Sequence, residues 1–102
     1  MPELTPAAAA QIRESAGQSN ALGLPLRIAV EQRDDGTLHY AMGFDDVGGE
    51  DDFEFVSEGI AIVVARSSAE WTHELVVDYV RLDSDAMAFV FLNPKDPNYA
   101  PA

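Results

Sequence analysis

Two alternating runs of residues around one Asp-Gly pair constrain the fold of this chain more than any other feature. In residues 26–31 and again in residues 38–44, an apolar side chain occupies every second position. Strict alternation is typical of a strand that buries one of its faces. The residues between the runs include Asp35 and Gly36, a pair that favours a tight turn. We therefore predict a β-hairpin.

Further apolar runs, each bounded by turn residues, predict a sheet-rich domain. They cover residues 53–55, 60–65, 75–82 and 87–92. With the hairpin this makes about six short strands, and the order of elements shows no βαβ rhythm. The pattern favours a β-sandwich of short, mostly antiparallel strands.

Two helices are expected at the margin of the sandwich. The Thr-Pro pair at residues 5–6, followed by four alanines, is a good helix start because Thr can cap and Pro is tolerated at the first helical position. Gly17 is expected to end this helix. Ser67 and Glu70 match a capping box, which predicts a short interior helix through residues 71–74. The predicted fold class is mainly β with minor α (α+β).

The length and the end of the chain predict its domain organisation. Its 102 residues, 47% of them hydrophobic, correspond to one domain with a packed core. From about residue 95 onward, two prolines, directly after Pro94, lead us to expect a flexible tail.

The charge balance narrows the class of partner. Eighteen acidic residues face six basic ones, giving a net charge of −12, which disfavours nucleic acid and anionic membrane surfaces. No apolar run approaches the roughly 18 residues that span a bilayer, and the first residues lack the features of a secretory signal. We expect a cytoplasmic protein whose partner is a protein with a basic patch.

No catalytic constellation stands out among the polar residues. Ser67 is better explained as a helix cap than as a nucleophile, and no Gly-x-Ser-x-Gly elbow is present. We therefore predict that the chain is not an enzyme. A metal site built from oxygen and imidazole ligands would use Asp35 and His39, for which a surface role is the alternative.

Seven acidic residues lie between residues 45 and 58. Their spacing is not that of an EF-hand, so we expect either a solvated face or a docking site for a basic partner. The candidates for partner binding are Asp45, Asp46, Glu50, Asp51 and Asp52.

Several motifs occur in a recognisable order. They are Leu-Arg-Ile-Ala-Val at residues 26–30, Gly-Ile-x-Ile-Val-Val at residues 59–64, Asp-Tyr-Val at residues 78–80 and Phe-x-Phe-x-Asn-Pro at residues 89–94. Together they resemble the A-type iron–sulfur carrier family, also called HesB/IscA, over essentially the whole chain. The resemblance implies an IscA-like β-sandwich.

The chain departs from this family where the family binds its cargo. The resemblance implies three cysteine ligands, one in the hairpin turn and two in a Cys-Gly-Cys tail. The matching positions hold Asp35, Ala100 and Ala102, and the chain contains no cysteine. Alanine offers no ligand atom, and iron–sulfur clusters require thiolates. We therefore carry over the fold and expect no cofactor.

Among cysteine-free relatives, the chain resembles the DsrR type of sulfur-oxidising bacteria. That resemblance implies a non-enzymatic accessory or regulatory protein of sulfur oxidation, acting by protein–protein interaction as a monomer or small homo-oligomer. The alternative is an iron or metal carrier in iron–sulfur cluster assembly with carboxylate and histidine ligands, such as Asp35 and His39.

Overall fold

The computed structural model describes residues 2–21, 23–45 and 52–96, which contain seven strands and two helices. In chain order the elements are β1 (Glu3–Leu4), α1 (Pro6–Gln18), β2 (Leu26–Gln32), β3 (Leu38–Phe44), β4 (Asp52–Ser57), β5 (Ile60–Ala65), α2 (Arg66–Thr72), β6 (Val76–Arg81) and β7 (Met87–Leu92).

The strands form two sheets. One has four strands in the order β3-β2-β5-β4, and the other has three in the order β1-β6-β7. The predicted hairpin is confirmed, with β2 and β3 antiparallel from Leu26 opposite Phe44 to Gln32 opposite Leu38. The fold class is also confirmed, but both sheets are mixed, since β2 pairs parallel with β5 and β1 pairs parallel with β6. Both parallel pairs join strands distant in sequence, which local alternation cannot reveal.

The core lies between the two sheets. Leu26, Ile28 and Val30 point inward from β2 and are no more than 2% exposed. Burying such a side chain stabilises the fold by about 1.5–3 kcal/mol. The ring of Tyr40 on β3 stacks on Phe91 of β7, with centroids 4.6 Å apart, so an aromatic contact joins the two sheets.

Helix α1 begins as predicted. Thr5 is the N-cap, and its hydroxyl accepts a hydrogen bond from the backbone N–H of Ala8 at 3.1 Å. The helix ends at Gln18, one residue beyond the predicted stop at Gly17. Ala8 and Ile12 are buried and join the core. Among the described residues, no helix is long and apolar enough to span a bilayer.

Helix α2 differs from its prediction. Ser67 is not its N-cap; Ala65 holds that position with no side-chain hydrogen bond, and the helix ends at Thr72. The buried Ser68 explains the earlier start, because its hydroxyl accepts from the N–H of Val30 and donates to the carbonyl of Val30, both at 3.1 Å. A tertiary contact with the end of β2 therefore sets the position of α2.

Candidate functional site

The hairpin turn between β2 and β3 holds Asp35, the residue predicted to match the family's first cysteine. Asp35 Oδ1 accepts hydrogen bonds from the Thr37 backbone N–H at 3.0 Å and from the Thr37 hydroxyl at 2.6 Å. These bonds, the hydroxyl first, lower the pKa of Asp35 below its ordinary value. Gly36 adopts a φ of 87°, a left-handed conformation that costs glycine little. Asp35 therefore stabilises the turn.

His39 lies on the exposed face of the same hairpin. Its Nδ1 is 2.9 Å from Arg33 Nη2. A guanidinium can only donate, so in this hydrogen bond Arg33 is the donor and His39 Nδ1 the acceptor. Outside the two internal gaps, residues 2–96 contain no group of three or more His, Cys, Asp or Glu side chains that could hold a metal ion.

Replacing Thr37 with valine tests the role of Asp35. We expect the pKa of Asp35 to rise toward its ordinary value, because the stronger donor to its carboxylate is lost. The depressed pKa means that these bonds stabilise the turn at neutral pH and that this stabilisation is lost as the pH falls through the folded-state pKa. Titration of the carboxyl carbon by NMR measures the shift. Thr37→Ser, which keeps the hydroxyl, should titrate like the unmodified chain; no change in Thr37→Val would contradict the assignment.

The second part of the site lies where the chain leaves β7. Tyr40 Oη donates a hydrogen bond to Asp96 Oδ2 at 2.9 Å, so β3 is tied to the segment after the last strand. Burial raises the pKa of Tyr40, and the hydrogen bond to the Asp96 carboxylate raises it further. Asn93 is fully buried, donates from Nδ2 to the carbonyl of Trp71 at 2.6 Å and accepts from the N–H of Lys95 at 3.1 Å.

The predicted flexible tail begins within this network. Lys95 and Asp96 both make hydrogen bonds, and Lys95 Nζ also donates to the carbonyl of Glu70. Ala100 and Ala102, which match the two tail cysteines, lie outside the described residues. Asp96 was not among the predicted site residues, although Tyr40 holds it in place. Its only sequence signal is the closing Phe-x-Phe-x-Asn-Pro motif, which places Asp96 three residues after Asn93.

The acidic candidates divide into two groups. Arg27 on β2 binds Asp45 and Asp52, with Nε–Oδ2 and Nη2–Oδ2 distances of 2.5 Å each. Asp45 follows β3 and Asp52 begins β4, and these two strands are the opposite edges of the four-stranded sheet. One guanidinium therefore binds the first and the last of the five acidic candidates. The hydrogen bonds that Arg27 donates to the carboxylates of Asp52 and Asp45 raise the pKa of Arg27.

The other three acidic candidates, Asp46, Glu50 and Asp51, lie outside the described residues. A role for all five in binding a partner stays a prediction. The structure adds that Asp45 and Asp52 are counter-charges of Arg27 within the fold.

The fold is similar to those of three solved structures. A crystal structure of IscA with a [2Fe–2S] cluster is 31% identical, with a TM-score of 0.72 over 92% of this chain and 83% of that one. Escherichia coli SufA, involved in biosynthesis of iron–sulfur clusters, is 30% identical, with a TM-score of 0.70 over 91% of this chain and 85% of that one. A protein from Aquifex aeolicus, solved by NMR in solution, is 30% identical, with a TM-score of 0.68 over 91% of both chains.

Sequence comparison alone finds less. No protein-family model matches the chain, and no curated protein matches it. The structural matches nevertheless define an IscA-like protein. Their sequence identity of 31% and 30%, over most of both chains, indicates family membership and not only a shared fold. The chain belongs to the A-type iron–sulfur carrier (HesB/IscA) family, as its motifs predicted.

Proposed function

We propose that this chain is a non-enzymatic accessory or regulatory protein, which keeps the IscA-like fold, carries no cluster and acts by protein–protein interaction. One observation supports this most directly. Asp35 stands at the family's first cysteine position, and its carboxylate is used to build the hairpin turn through Thr37. A cargo ligand has been replaced by a structural residue.

The donor set does not fit an iron–sulfur cluster. Clusters are held by cysteine thiolates, and the chain has no cysteine. At the three matching positions, Asp35 offers a carboxylate that already accepts two hydrogen bonds. The two alanines offer only methyl groups. The cation nearest to His39 Nδ1 is Arg33, which disfavours a metal ion on that nitrogen. We therefore derive no cluster transfer for this chain.

The resemblance to the DsrR type supports a role in bacterial sulfur oxidation, in the cytoplasm. The similarity to SufA, which is involved in iron–sulfur cluster biosynthesis, supports a relation between this fold and that process. Our proposal is an accessory role in which the folded surface, rather than a bound cluster, is recognised by another protein.

An anaerobic titration with iron and sulfide tests the loss of cargo binding. After desalting, the natural chain should retain no iron and show no charge-transfer band. The variant Asp35→Cys/Ala100→Cys/Ala102→Cys should retain iron, because it restores three thiolates at the family's positions. The same variant with Asp34→Cys in place of Asp35→Cys is the matched control and should bind less.

Iron retained by the natural chain would overturn the proposal. If that iron were lost on Asp35→Ala or His39→Ala, the chain would be a carrier with carboxylate and histidine ligands instead.

A further inference from the structure

Strands β6 and β7 of the three-stranded sheet are mostly apolar on both of their faces. Strands β6 and β7 read Val-Val-Asp-Tyr-Val-Arg and Met-Ala-Phe-Val-Phe-Leu. Val77 is fully buried, and Tyr79, Phe89 and Phe91 pack against the same core, so these residues define the inner face. Strands that are apolar on both faces are typical of sheets covered on both sides.

The outer face consists of the alternate residues of the two strands. Since side chains alternate across a strand, the outer residues of β6 and β7 are Asp78 and five apolar residues, Val76, Val80, Ala88, Val90 and Leu92. Pairing places Val76 beside Leu92, Asp78 beside Val90 and Val80 beside Ala88, so the apolar residues surround Asp78. All five are partly exposed, and Leu92 is 41% exposed. We call these five residues the valine face.

The four-stranded sheet provides an internal comparison. Its outward positions include the charged or polar side chains of Arg27, Glu31, His39 and Glu54, all partly or fully exposed. That composition is expected of a face in contact with water. The outward positions of β6 and β7 carry one charged residue among six, a smaller share than on the four-stranded sheet, which marks the valine face as an interaction surface.

Asp78, the charged residue among the outward positions of β6 and β7, already accepts hydrogen bonds within the fold. Asp78 Oδ1 accepts hydrogen bonds from the Thr5 hydroxyl at 2.7 Å and from the Tyr79 N–H at 2.8 Å. Because Asp78 is tied to the start of α1, covering the valine face would not strand an unsatisfied carboxylate there.

The charges around the patch indicate its partner. Glu3 pairs with Val76 at one side, and Asp83 and Asp85 are exposed in the β6–β7 turn, near the exposed cation Arg81. Two copies of a chain with a net charge of −12 repel each other. Resting on the function proposed above, we propose that the valine face docks a protein surface with an apolar centre and a rim of lysine and arginine.

A defined probe tests the chemistry of this face. A short peptide of alternating valine and lysine should shift the NMR signals of the valine-face methyl groups, and added salt should weaken its binding. The same peptide with glutamate for lysine should not bind. Shifts confined to the four-stranded sheet, equal binding of both peptides, or no shifts at all would overturn the proposal.

Matched variants assign the effect to the face. Leu92→Lys should weaken peptide binding about tenfold or more, because it places a cation among apolar contacts. Val56→Lys is the control, since Val56 lies outward on β4, is 62% exposed and undergoes a substitution of the same charge; it should bind as the natural chain does. Leu92→Gln, which adds no charge, should bind more weakly than Val56→Lys. Equal binding by all three would overturn the proposal, and circular dichroism checks that each is folded.

Two further readouts separate this inference from the proposed function. Sedimentation should show a monomer; a dimer abolished by Leu92→Lys would assign the face to a second copy and overturn the proposal. Quantitative crosslinking in a native lysate should lose the partner with Leu92→Lys and keep it with Val56→Lys. Retention by both would exclude the valine face while leaving the proposed function intact. No partner for the natural chain would count against both.

Discussion

Replacing Asn93 with aspartate is expected to lower the free energy of unfolding by about 3 kcal/mol. The Asn93 side chain is fully buried, and its Nδ2 donates to the carbonyl of Trp71 at 2.6 Å. A carboxylate would place an acceptor against that carbonyl and a charge where water does not reach. Thermal unfolding should shift down by roughly 12–24 °C for a domain of this size.

The pH dependence and a matched variant test the cause. The introduced carboxyl can donate a hydrogen bond to Trp71 only when protonated, and burial raises its pKa, so the loss relative to the natural chain should shrink as the pH falls toward about 4. Asn20→Asp is the control, because Asn20 is exposed and its φ of 58° is tolerated by aspartate; it should cost less than about 0.5 kcal/mol. Equal losses for both variants would contradict a stabilising role for the Asn93–Trp71 bond.

Arg27→Met should lower the free energy of unfolding by about 2 kcal/mol. The variant removes the cation that Asp45 and Asp52 share, and the Asp52 side chain is only 10% exposed. The expected loss of free energy lies between the losses typical of surface ion pairs and of buried ion pairs, because the Arg27 side chain is 27% exposed. Urea unfolding measures it.

Two comparisons show whether the ion pairs carry this effect. The double variant Arg27→Met/Asp52→Asn should recover part of the loss, because the less exposed of the two carboxylates is neutralised. Arg81→Met, at an exposed position of β6, should change stability by less than about 0.5 kcal/mol. No recovery in the double variant would mean that Arg27 stabilises mainly by packing of its stem. Charge reversal at Asp45 or Asp52 would also break these ion pairs. Substitutions that test partner binding by the acidic candidates should therefore be made at Asp46, Glu50 and Asp51.

The hairpin was predictable because two independent local signals agree on it. Alternation in residues 26–31 and 38–44 defines the faces, and the Asp-Gly pair supplies the turn. Helix α2 was misplaced because Ser67 and Glu70 imitate a capping box. The contact that decides its start, from Ser68 to Val30, joins residues 38 apart in sequence and has no local signal.

The site was predictable only in part, for the same reason. Counting along the family motifs locates Asp35, and its neighbour Thr37 is close enough in sequence for the turn hydrogen bonds to be inferred. The partners of Arg27 are 18 and 25 residues away in sequence: Asp45 follows β3, and Asp52 begins β4. The bond from Tyr40 to Asp96 spans 56 residues. Such pairings depend on strand order, which the sequence does not display.

The parallel pairing of β1 with β6 also sets the order in which the sheets can form during synthesis. Glu3 and Leu4 are translated long before their partners, Val76 and Val77. The three-stranded sheet can therefore close only after β6 has been translated, and β7 is added later still. A nascent chain can form the β2–β3 hairpin first, but it presents the valine face only once β7 has been made. A partner that binds there therefore distinguishes chains that extend through β7 from chains that stop before it.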